Sequence, residues 1–423
     1  MKNFTLDQWI EWQCELHSTN MDFNLERIKE VAKRLNVDKT KLKVFTVAGT
    51  NGKGSTIALL ESILIENNYK VGSYTSPHLL EFNERIKINK KHASTREICK
   101  VFELIEEKRK DITLTFFEFS TLAAFKIFSQ KNLDIIILEV GLGGRLDAVN
   151  IIDADVSIIT SIGIDHTSIL GNDLEQIAFE KAGVMRKNKP TIVGYKNIHK
   201  AIVTHSKNIG SNLSILNDNF SYKIHNKDKW IFSNDEGISY ECDMPGIKGA
   251  IQINNAASAI QAILSCDDID IKEKQLNLGL QKAQIYGRFQ VISDSPKIIL
   301  DIAHNEQSVI SLIENLNKYY PKKNYHAVFS VLKDKKINKI LELLKGYFKT
   351  WHITENENER SLSIKDLKEN NFFDSEIMHD YASIDKAYNG ALKEIADEDD
   401  IVIVFGSSYT VAPILKKYLE KNE

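Results

Sequence analysis

The chain lacks the marks of several protein classes. It has four cysteines, Cys14, Cys99, Cys242 and Cys266, in 423 residues. They are scattered and form no C-x-x-C pair, which excludes a disulfide framework, gives no zinc-ligand spacing and suits a reducing, cytoplasmic compartment. No apolar run approaches the roughly 20 residues needed to cross a bilayer, so no membrane role is expected. No basic segment followed by an apolar core opens the chain, so no secretory signal is read. The formal net charge is −3, and without a basic surplus a general nucleic-acid binder is excluded. Internal repeats and low-complexity tracts are missing too.

The charged and hydrophobic fractions, 27% and 43%, are those of an ordinary globular chain, long enough for two or three domains. From residue 44 to about 195, apolar runs alternate with helical patterns. Val44 to Val47, Val71 to Tyr74, Ile135 to Val140, Val156 to Thr160 and Thr191 to Gly194 read as buried strands. Helices are expected near 55–67, 95–109, 117–130 and 173–183. This alternation predicts a doubly wound, mostly parallel α/β sheet with its ligand site at the strand C-termini. Residues 205–245 read as a small antiparallel patch, followed by a helix near 252–266. Past a linker at 283–286 the pattern restarts, with strands near 298–301, 327–331, 350–354 and 401–405 between helices. A smaller C-terminal α/β domain, Rossmann-like, is expected. The expected domains are 1–286 and 287–423.

The densest motif is Gly49-Thr50-Asn51-Gly52-Lys53-Gly54-Ser55-Thr56, set directly behind the first strand. Glycines allow a tight turn whose amides point inward at phosphate oxygens; Lys53 adds a charge, and the following helix N-terminus favours an anion. Strand, glycine loop with one lysine, and helix is the layout of a nucleotide-phosphate site. The spacing departs from the general P-loop pattern, because Val47 stands where its first glycine belongs and Gly54 follows the lysine.

Three more strand ends carry polar groups. Glu139 closes Ile135-Ile136-Ile137-Leu138 and leads into Gly141-Leu142-Gly143-Gly144-Arg145-Leu146-Asp147. A carboxylate there needs a partner, either Mg²⁺ beside a nucleotide or backbone amides. Asp165-His166-Thr167 follows another strand; the pair is a metal-ligand candidate or a structural one. Asp301-Ile302-Ala303-His304-Asn305 repeats the theme in the second domain, and Arg288 at the linker could reach phosphates. Lys181, in Glu180-Lys181-Ala182-Gly183, reads locally as a solvated helix lysine. Ser76, in Thr75-Ser76-Pro77-His78-Leu79, offers a hydroxyl in a rigid turn.

Taken in order, GTNGKGS, TSPHL, LEVGLGGRLDA, DHT, EKAG, GRFQ and D-x-AHN closely resemble the folylpolyglutamate synthase and dihydrofolate synthase group of the Mur ligase superfamily. The resemblance runs from about Leu16 to Ala412. Asp111-Ile112-Thr113-Leu114-Thr115-Phe116-Phe117-Glu118 looks particularly like the bifunctional bacterial enzymes. The resemblance implies an ATP-dependent, ADP-forming ligase that adds L-glutamate to dihydropteroate and to the γ-carboxylate of reduced folates through an acyl phosphate. The alternative is a monofunctional folylpolyglutamate synthase.

The resemblance also implies site roles. Residues Gly49 to Thr56, with Asn255, Arg288, Asp301 and His304, would contact ATP. Ser76, Glu139 and His166 would ligate Mg²⁺, two ions in all, and Lys181 would carry a carbamate. Lys53, Lys181 and His166 would be catalytic. Pteroate-specific contacts are expected in His17 to Arg27 and Asp111 to Ser120: Arg27, with Phe117 and Phe119 as rings for a flat pterin or as plain helix core. Where the family often has proline after D-x-AHN, this chain has Glu306. The partners implied are small molecules only, acting on a monomer. A cell-wall precursor ligase would carry a domain of roughly a hundred residues ahead of the loop, whereas 48 precede Gly49. A regulatory or transport nucleotide-binding module would need the loop but not Glu139, His166 and Lys181 together.

Overall fold

The computed structural model describes residues 3–19, 21–37, 42–369 and 376–422. The first sheet has eight strands: β1 (Lys43–Ala48), β2 (Val71–Tyr74), β3 (Ile86–Ile88), β4 (Lys91–His92), β5 (Ile135–Glu139), β6 (Val156–Ile159), β7 (Pro190–Val193) and β8 (Asn212–Ile215). Their order is β4-β3-β2-β5-β1-β6-β7-β8. Only the β2–β3 and β3–β4 pairings are antiparallel, so β3 alone runs against the other strands. A parallel strand covered on both faces reads as a continuous apolar run, which is why β5 spells Ile-Ile-Ile-Leu before its terminal Glu139. Chain order reverses around β1, which lies between β5 and β6. The carboxyl ends of these three strands therefore frame the crevice where such sheets bind ligands.

Helices α1 (Leu6–Glu15), α2 (Glu26–Arg34), α3 (Lys53–Glu66), α4 (Thr95–Arg109) and α5 (Phe116–Ser129) belong with this sheet. Trp9, Ile28, Val31, Phe102, Phe119 and Phe125 share one buried core with Val44, Ile136 and Leu138. The sequence reading contains no α1 or α2, since both are short and rich in charged or polar residues. Tertiary burial of Trp9, Ile28 and Val31 holds them, and Thr5 forms a capping box with Gln8 at the start of α1.

The stretch read as an antiparallel patch divides in two. A helix at Lys200–Ile209 leads into β8, which extends the parallel sheet beside β7. Only then do β9 (Phe220–Ile224), β10 (Lys229–Asn234) and β11 (Ser239–Asp243) form a three-stranded antiparallel sheet.

The third sheet comprises β12 (Gln290–Asp294), β13 (Lys297–Asp301), β14 (Asn324–Phe329), β15 (Thr350–Thr354), β16 (Met378–Tyr381) and β17 (Asp400–Phe405), in the order β12-β13-β17-β14-β15-β16. All but β12 are parallel. The two outer strands, β12 and β16, escape the sequence reading because an edge strand such as Met378-His379-Asp380-Tyr381 lacks the buried apolar run. Ile299, Phe329, Phe348, Trp351 and Phe405 form this sheet's core.

The chain makes two compact units. One runs through Ile162 and takes in Asn172–Gly246 and Ile253–Gln284; the other takes Gly163–Gly171, Ile247–Gln252 and everything from Ile285 onward. Two short stretches from the first two-thirds of the chain thus fold with the C-terminal sheet. No helix among the described residues is long and apolar enough to cross a membrane.

At the start of β17, Asp400 is buried at 2% exposure. It accepts from the Ala396 amide (2.8 Å), Asn324 Nδ2 (2.9 Å) and His326 Nε2 (3.2 Å). Burial alone would raise its pKa, but these donors together hold the carboxyl well below the usual carboxylate range. A carboxyl depressed in the folded state stabilises the fold above its unfolded pKa of about 3.9, and that stabilisation is lost as pH falls. Asp400→Asn should therefore cost about 3 kcal/mol or more, because an amide replaces an acceptor and leaves buried donors opposed. Thermal melts at pH 7 and pH 3 check this: the gap between wild type and variant should be wide at pH 7 and begin to close at pH 3.

Candidate active site

The glycine loop leaves β1 at Gly49 and turns at Gly52, whose φ is +89°. A Cβ at Gly52 would meet Asn255 Oδ1 at 2.9 Å, so the Asn255 side chain lies directly on the loop. The end of β6 fixes the loop from beneath. The Thr50 amide donates to the Ser161 carbonyl (2.9 Å) and the Asn51 amide to Ser161 Oγ (2.9 Å), while Thr160 Oγ1 donates to the Asn51 carbonyl (2.6 Å). Gly52 caps α3 with no side-chain hydrogen bond, which leaves the first-turn amides of Lys53, Gly54 and Ser55 in the arrangement that binds anions.

Two lysines converge on one atom of this loop. Lys53 Nζ donates to the Gly49 carbonyl at 3.0 Å and to the Thr50 carbonyl at 3.3 Å. Lys181 Nζ, from α7 (Leu174–Ala182), also donates to the Gly49 carbonyl at 3.0 Å and is buried. Local sequence reads Lys181 as solvated; the structure corrects this.

Two loops that the sequence keeps apart aim Lys181. The Arg145 amide donates to the Glu180 carbonyl at 2.8 Å, and Arg145 Nη2 pairs with Glu180 Oε1 at 2.8 Å. Asn150 Nδ2 donates to the carbonyls of Arg145 (3.1 Å) and Gly183 (3.0 Å). The approach is so close that a Cβ on Gly183 would fall 2.3 Å from Arg145 Cβ and 2.5 Å from its Cα. GGR and EKAG are thus two halves of one contact. A signal for it lay in glycines set beside opposite charges in both motifs.

Glu139 lies level with Val47 in β1, just before the loop. Its carboxylate is buried, and Oε2 accepts from the Ser76 amide at 3.0 Å. On the same rim, Phe117 packs against Tyr74, with centroids 6.1 Å apart, and beneath Gly141, where a Cβ would meet its ring at 2.6 Å. Asp147 accepts from the Leu142 (2.9 Å) and Val149 (3.0 Å) amides. Burial nevertheless pushes its carboxyl up to about 6. The sequence reading gives Asp147, Thr160 and Ser161 no role, because their partners are backbone groups far away in the chain.

Of the two readings of Phe119 the structure fits helix core, and Arg27 has protein partners. Phe119 is fully buried among Trp9, Trp12 and Phe102, out of reach of a pterin. Arg27 is engaged with protein carboxylates, Asp22 Oδ2 at 2.6 Å and Glu118 Oε1 at 3.1 Å, and so ties the N-terminal segment to α5.

In the second unit, the Asp301 carboxylate accepts from the Phe289 and Ala303 amides, both at 2.8 Å. Burial raises its pKa, with the Arg288 charge acting against that. His304 Nδ1 donates to the Ile302 carbonyl (2.7 Å), and Nε2 faces Asp165 Oδ2 at 3.4 Å. Asp165 also accepts from Lys335 Nζ (2.7 Å), Asn305 Nδ2 (3.2 Å) and the His166 amide (2.8 Å). Burial opposes its charge, yet His304 and Lys335 hold the carboxyl far below the normal range. Asp165 is therefore the anchor that fastens 163–171 to this unit. Glu306, in place of proline, leaves the turn intact: Asn305 caps the helix Glu306–Tyr319 in a capping box with Ser308.

Metal fit can be judged from donor chemistry. Among the described residues no three His, Cys, Asp or Glu side chains gather into a site by themselves. Glu139 and the Ser76 hydroxyl are hard oxygen donors of the kind Mg²⁺ takes. His166, at φ +51° ahead of α6 (Thr167–Leu170), is held neutral, its pKa lowered to about 4 chiefly by burial; that is the form able to ligate. The donor types suit a divalent cation.

A parallel sheet, a glycine loop opening a helix and a second α/β unit define a Mur-type ligase. The Mur ligase middle domain matches residues 47–263, and the Mur ligase glutamate ligase domain matches 287–408. The dihydrofolate synthase/folylpolyglutamate synthase of Escherichia coli (strain K12) is 38% identical over 97% of this chain and 95% of its own length. The structure of E. coli FolC in complex with DHPP and ADP superposes with a TM-score of 0.93 at 37% identity, covering 100% of this chain and 99% of that one. A bifunctional folylpolyglutamate synthase/dihydrofolate synthase with Mn, AMPPNP and L-glutamate bound gives 0.89 at 38% identity, over 97% of both chains. The chain belongs to the dihydrofolate synthase/folylpolyglutamate synthase family of Mur ligases.

The Arg145–Glu180–Gly183 contact makes a sharp expectation. Gly183→Ala forces a methyl group into Arg145 and should cost about 1–3 kcal/mol, with ligase activity falling further than the lowered melting temperature alone explains. A melt and a turnover measurement at a temperature where the variant is fully folded separate the two effects.

Proposed function

We propose that this chain is an ATP-dependent ligase that joins L-glutamate to dihydropteroate, giving dihydrofolate, and to the γ-carboxylate of reduced folates, extending their glutamate tail. The observation that carries the reading is the meeting of Lys53 and Lys181 on the Gly49 carbonyl. The Lys53 charge stands at the mouth of an uncapped helix N-terminus, where a nucleotide's phosphates are best neutralised. The names of the full-length relatives support the choice of acceptors.

In this reading the acceptor carboxylate attacks the γ-phosphorus of ATP, the bond to the β-phosphate oxygen breaks, and ADP leaves. The glutamate amine then attacks the acyl phosphate carbon, inorganic phosphate departs, and the amine loses a proton. Gly49 to Thr56 cradle the phosphates, and Lys53 neutralises them. Asn255, Arg288, Asp301 and His304 contact the nucleotide. Ser76, Glu139 and His166 would hold Mg²⁺, two ions being expected, which when bound offsets the repulsion between phosphate and carboxylate. Lys181 is read as carbamate-forming: its neutral amine adds CO₂ and releases a proton. Residues 1–286 form the ATP-binding part with its N-terminal extension and 287–423 the ligase domain. Phe117 is the remaining ring for a flat pterin. The protein acts as a cytoplasmic monomer on small molecules alone.

ADP release should depend on both an acceptor carboxylate and glutamate. Coupled assays with dihydropteroate and with tetrahydrofolate test this; ADP release indifferent to either partner would overturn the ligase reading. Lys53→Ala should lose about 3 kcal/mol or more of transition-state stabilisation while keeping its far-UV circular dichroism. For metal, Glu139→Gln should shift the Mg²⁺ titration of activity to higher concentration, since an amide is a poorer ligand for a hard cation. An unmoved titration would place the ion elsewhere.

A further inference from the structure

One cation in the first unit has no role so far. Arg85 is buried, at 6% exposure, between the Ser76–Glu81 turn and the start of α5. Its guanidinium carbon lies 5.1 Å from the centroid of Phe116 and 5.7 Å from that of Phe82. Nε donates to His78 Nδ1 at 2.9 Å. His78 is a neutral acceptor in that bond and supplies no negative charge. The adjacent carboxylate, Glu84, is taken up by the amides of Leu79, Leu80 and Glu81 (2.8, 2.6 and 2.9 Å). Among the described residues, no acidic group pairs with Arg85.

A guanidinium buried without a carboxylate is costly, and aromatic faces offset only part of that cost. What the position lacks is an anion. Its place in the fold says where one would come from. The Thr75 amide donates to the Arg85 carbonyl at 2.9 Å, and the next residue, Ser76, donates its amide to Glu139. Arg85 also neighbours Tyr74, whose ring meets Phe117. It therefore lies beside both the turn that reaches Glu139 and the Tyr74–Phe117 pair.

We propose that Arg85 binds the α-carboxylate of the folate acceptor's terminal glutamate. This rests on the bifunctional ligase reading above. When the γ-carboxylate is activated, the α-carboxylate of the same residue stays free and charged, a few bonds away. Dihydropteroate ends in its single reacting carboxylate and has no such group. Arg85 is then a specificity residue that separates tail extension from dihydrofolate synthesis within one site. A guanidinium suits this task because its five N–H donors can serve His78 and Tyr74 and still pair with a carboxylate.

The test compares KM for tetrahydrofolate and for dihydropteroate in wild type, Arg85→Gln and Arg85→Lys, with a tetrahydrofolate whose α-carboxylate is a carboxamide as the probe. Losing a charge-assisted pair should raise the folate KM about 10- to 100-fold, and the loss should exceed that on dihydropteroate at least tenfold. The carboxamide should bring the same penalty to wild type and none beyond it to Arg85→Gln. Equal losses on both acceptors, or a raised KM for glutamate instead, would overturn the proposal. If Arg85→Gln does not fold, the carboxamide with wild type decides alone: an undiminished KM sinks the assignment. A wild type that ligates glutamate to neither acceptor removes the ligase reading, and this proposal with it.

Discussion

The Gly49 carbonyl is the point on which the nucleotide site depends. A single backbone oxygen receives both lysine side chains. Two long side chains can meet on one carbonyl only if that carbonyl is held in place, so the loop must be braced. Thr160 and Ser161 brace it from β6, and Asn255 lies across its turn. Lys181 needs support as well, because a buried lysine on the last turn of a nine-residue helix is held only by what packs around that helix end. The Arg145–Glu180 pair and the two carbonyls bonded by Asn150 supply this support. Stability and chemistry are therefore coupled here: the polar groups that hold the loop are the same ones that aim it.

Acidic residues are handled by a different rule in each part of the site. Asp165 is surrounded by cationic and amide donors and stays ionised, so it fastens one piece of chain to another. Asp147 is met by backbone amides, and burial carries its carboxyl up to about 6 even with the Lys53 charge acting against it. Glu139 accepts from the Ser76 amide at its strand end. Which carboxylate anchors and which remains able to take a ligand is decided by the partners each finds, not by the residue type.

Much of this was legible in the sequence where local pattern and tertiary environment agree. The apolar runs of β1, β5, β6 and β17 declared buried parallel strands, and the glycine loop declared an anion site, because both depend on neighbours close in the chain. The elements missed depend on distant contacts. α1 and α2 are stabilised by burying Trp9, Ile28 and Val31 against α4 and α5, and β12 and β16 are polar edge strands. Lys181 looked like any helix lysine, because its orientation comes from a loop 36 residues earlier. Phe119 and Phe117, two positions apart on one helix, could not be told apart by sequence: one faces the aromatic core and the other the rim beneath Gly141.

The path of the backbone between the two compact units has a practical meaning. It passes from one to the other five times, at 162/163, 171/172, 246/247, 252/253 and 284/285. A C-terminal fragment beginning near residue 285 would lack Asp165, leaving Lys335, whose side chain is 7% exposed, without that countercharge. Asn305 would lose a bond in the same cut. Among the described acidic residues Lys335 would keep only Asp334, at 3.4 Å, and weakening the pairing of a buried cation takes a share of the little stability a domain has to spare. The second unit is therefore not a module that can be shuffled, expressed or transplanted as one continuous stretch of gene. Its evolutionary unit of inheritance must include two short passages encoded well upstream.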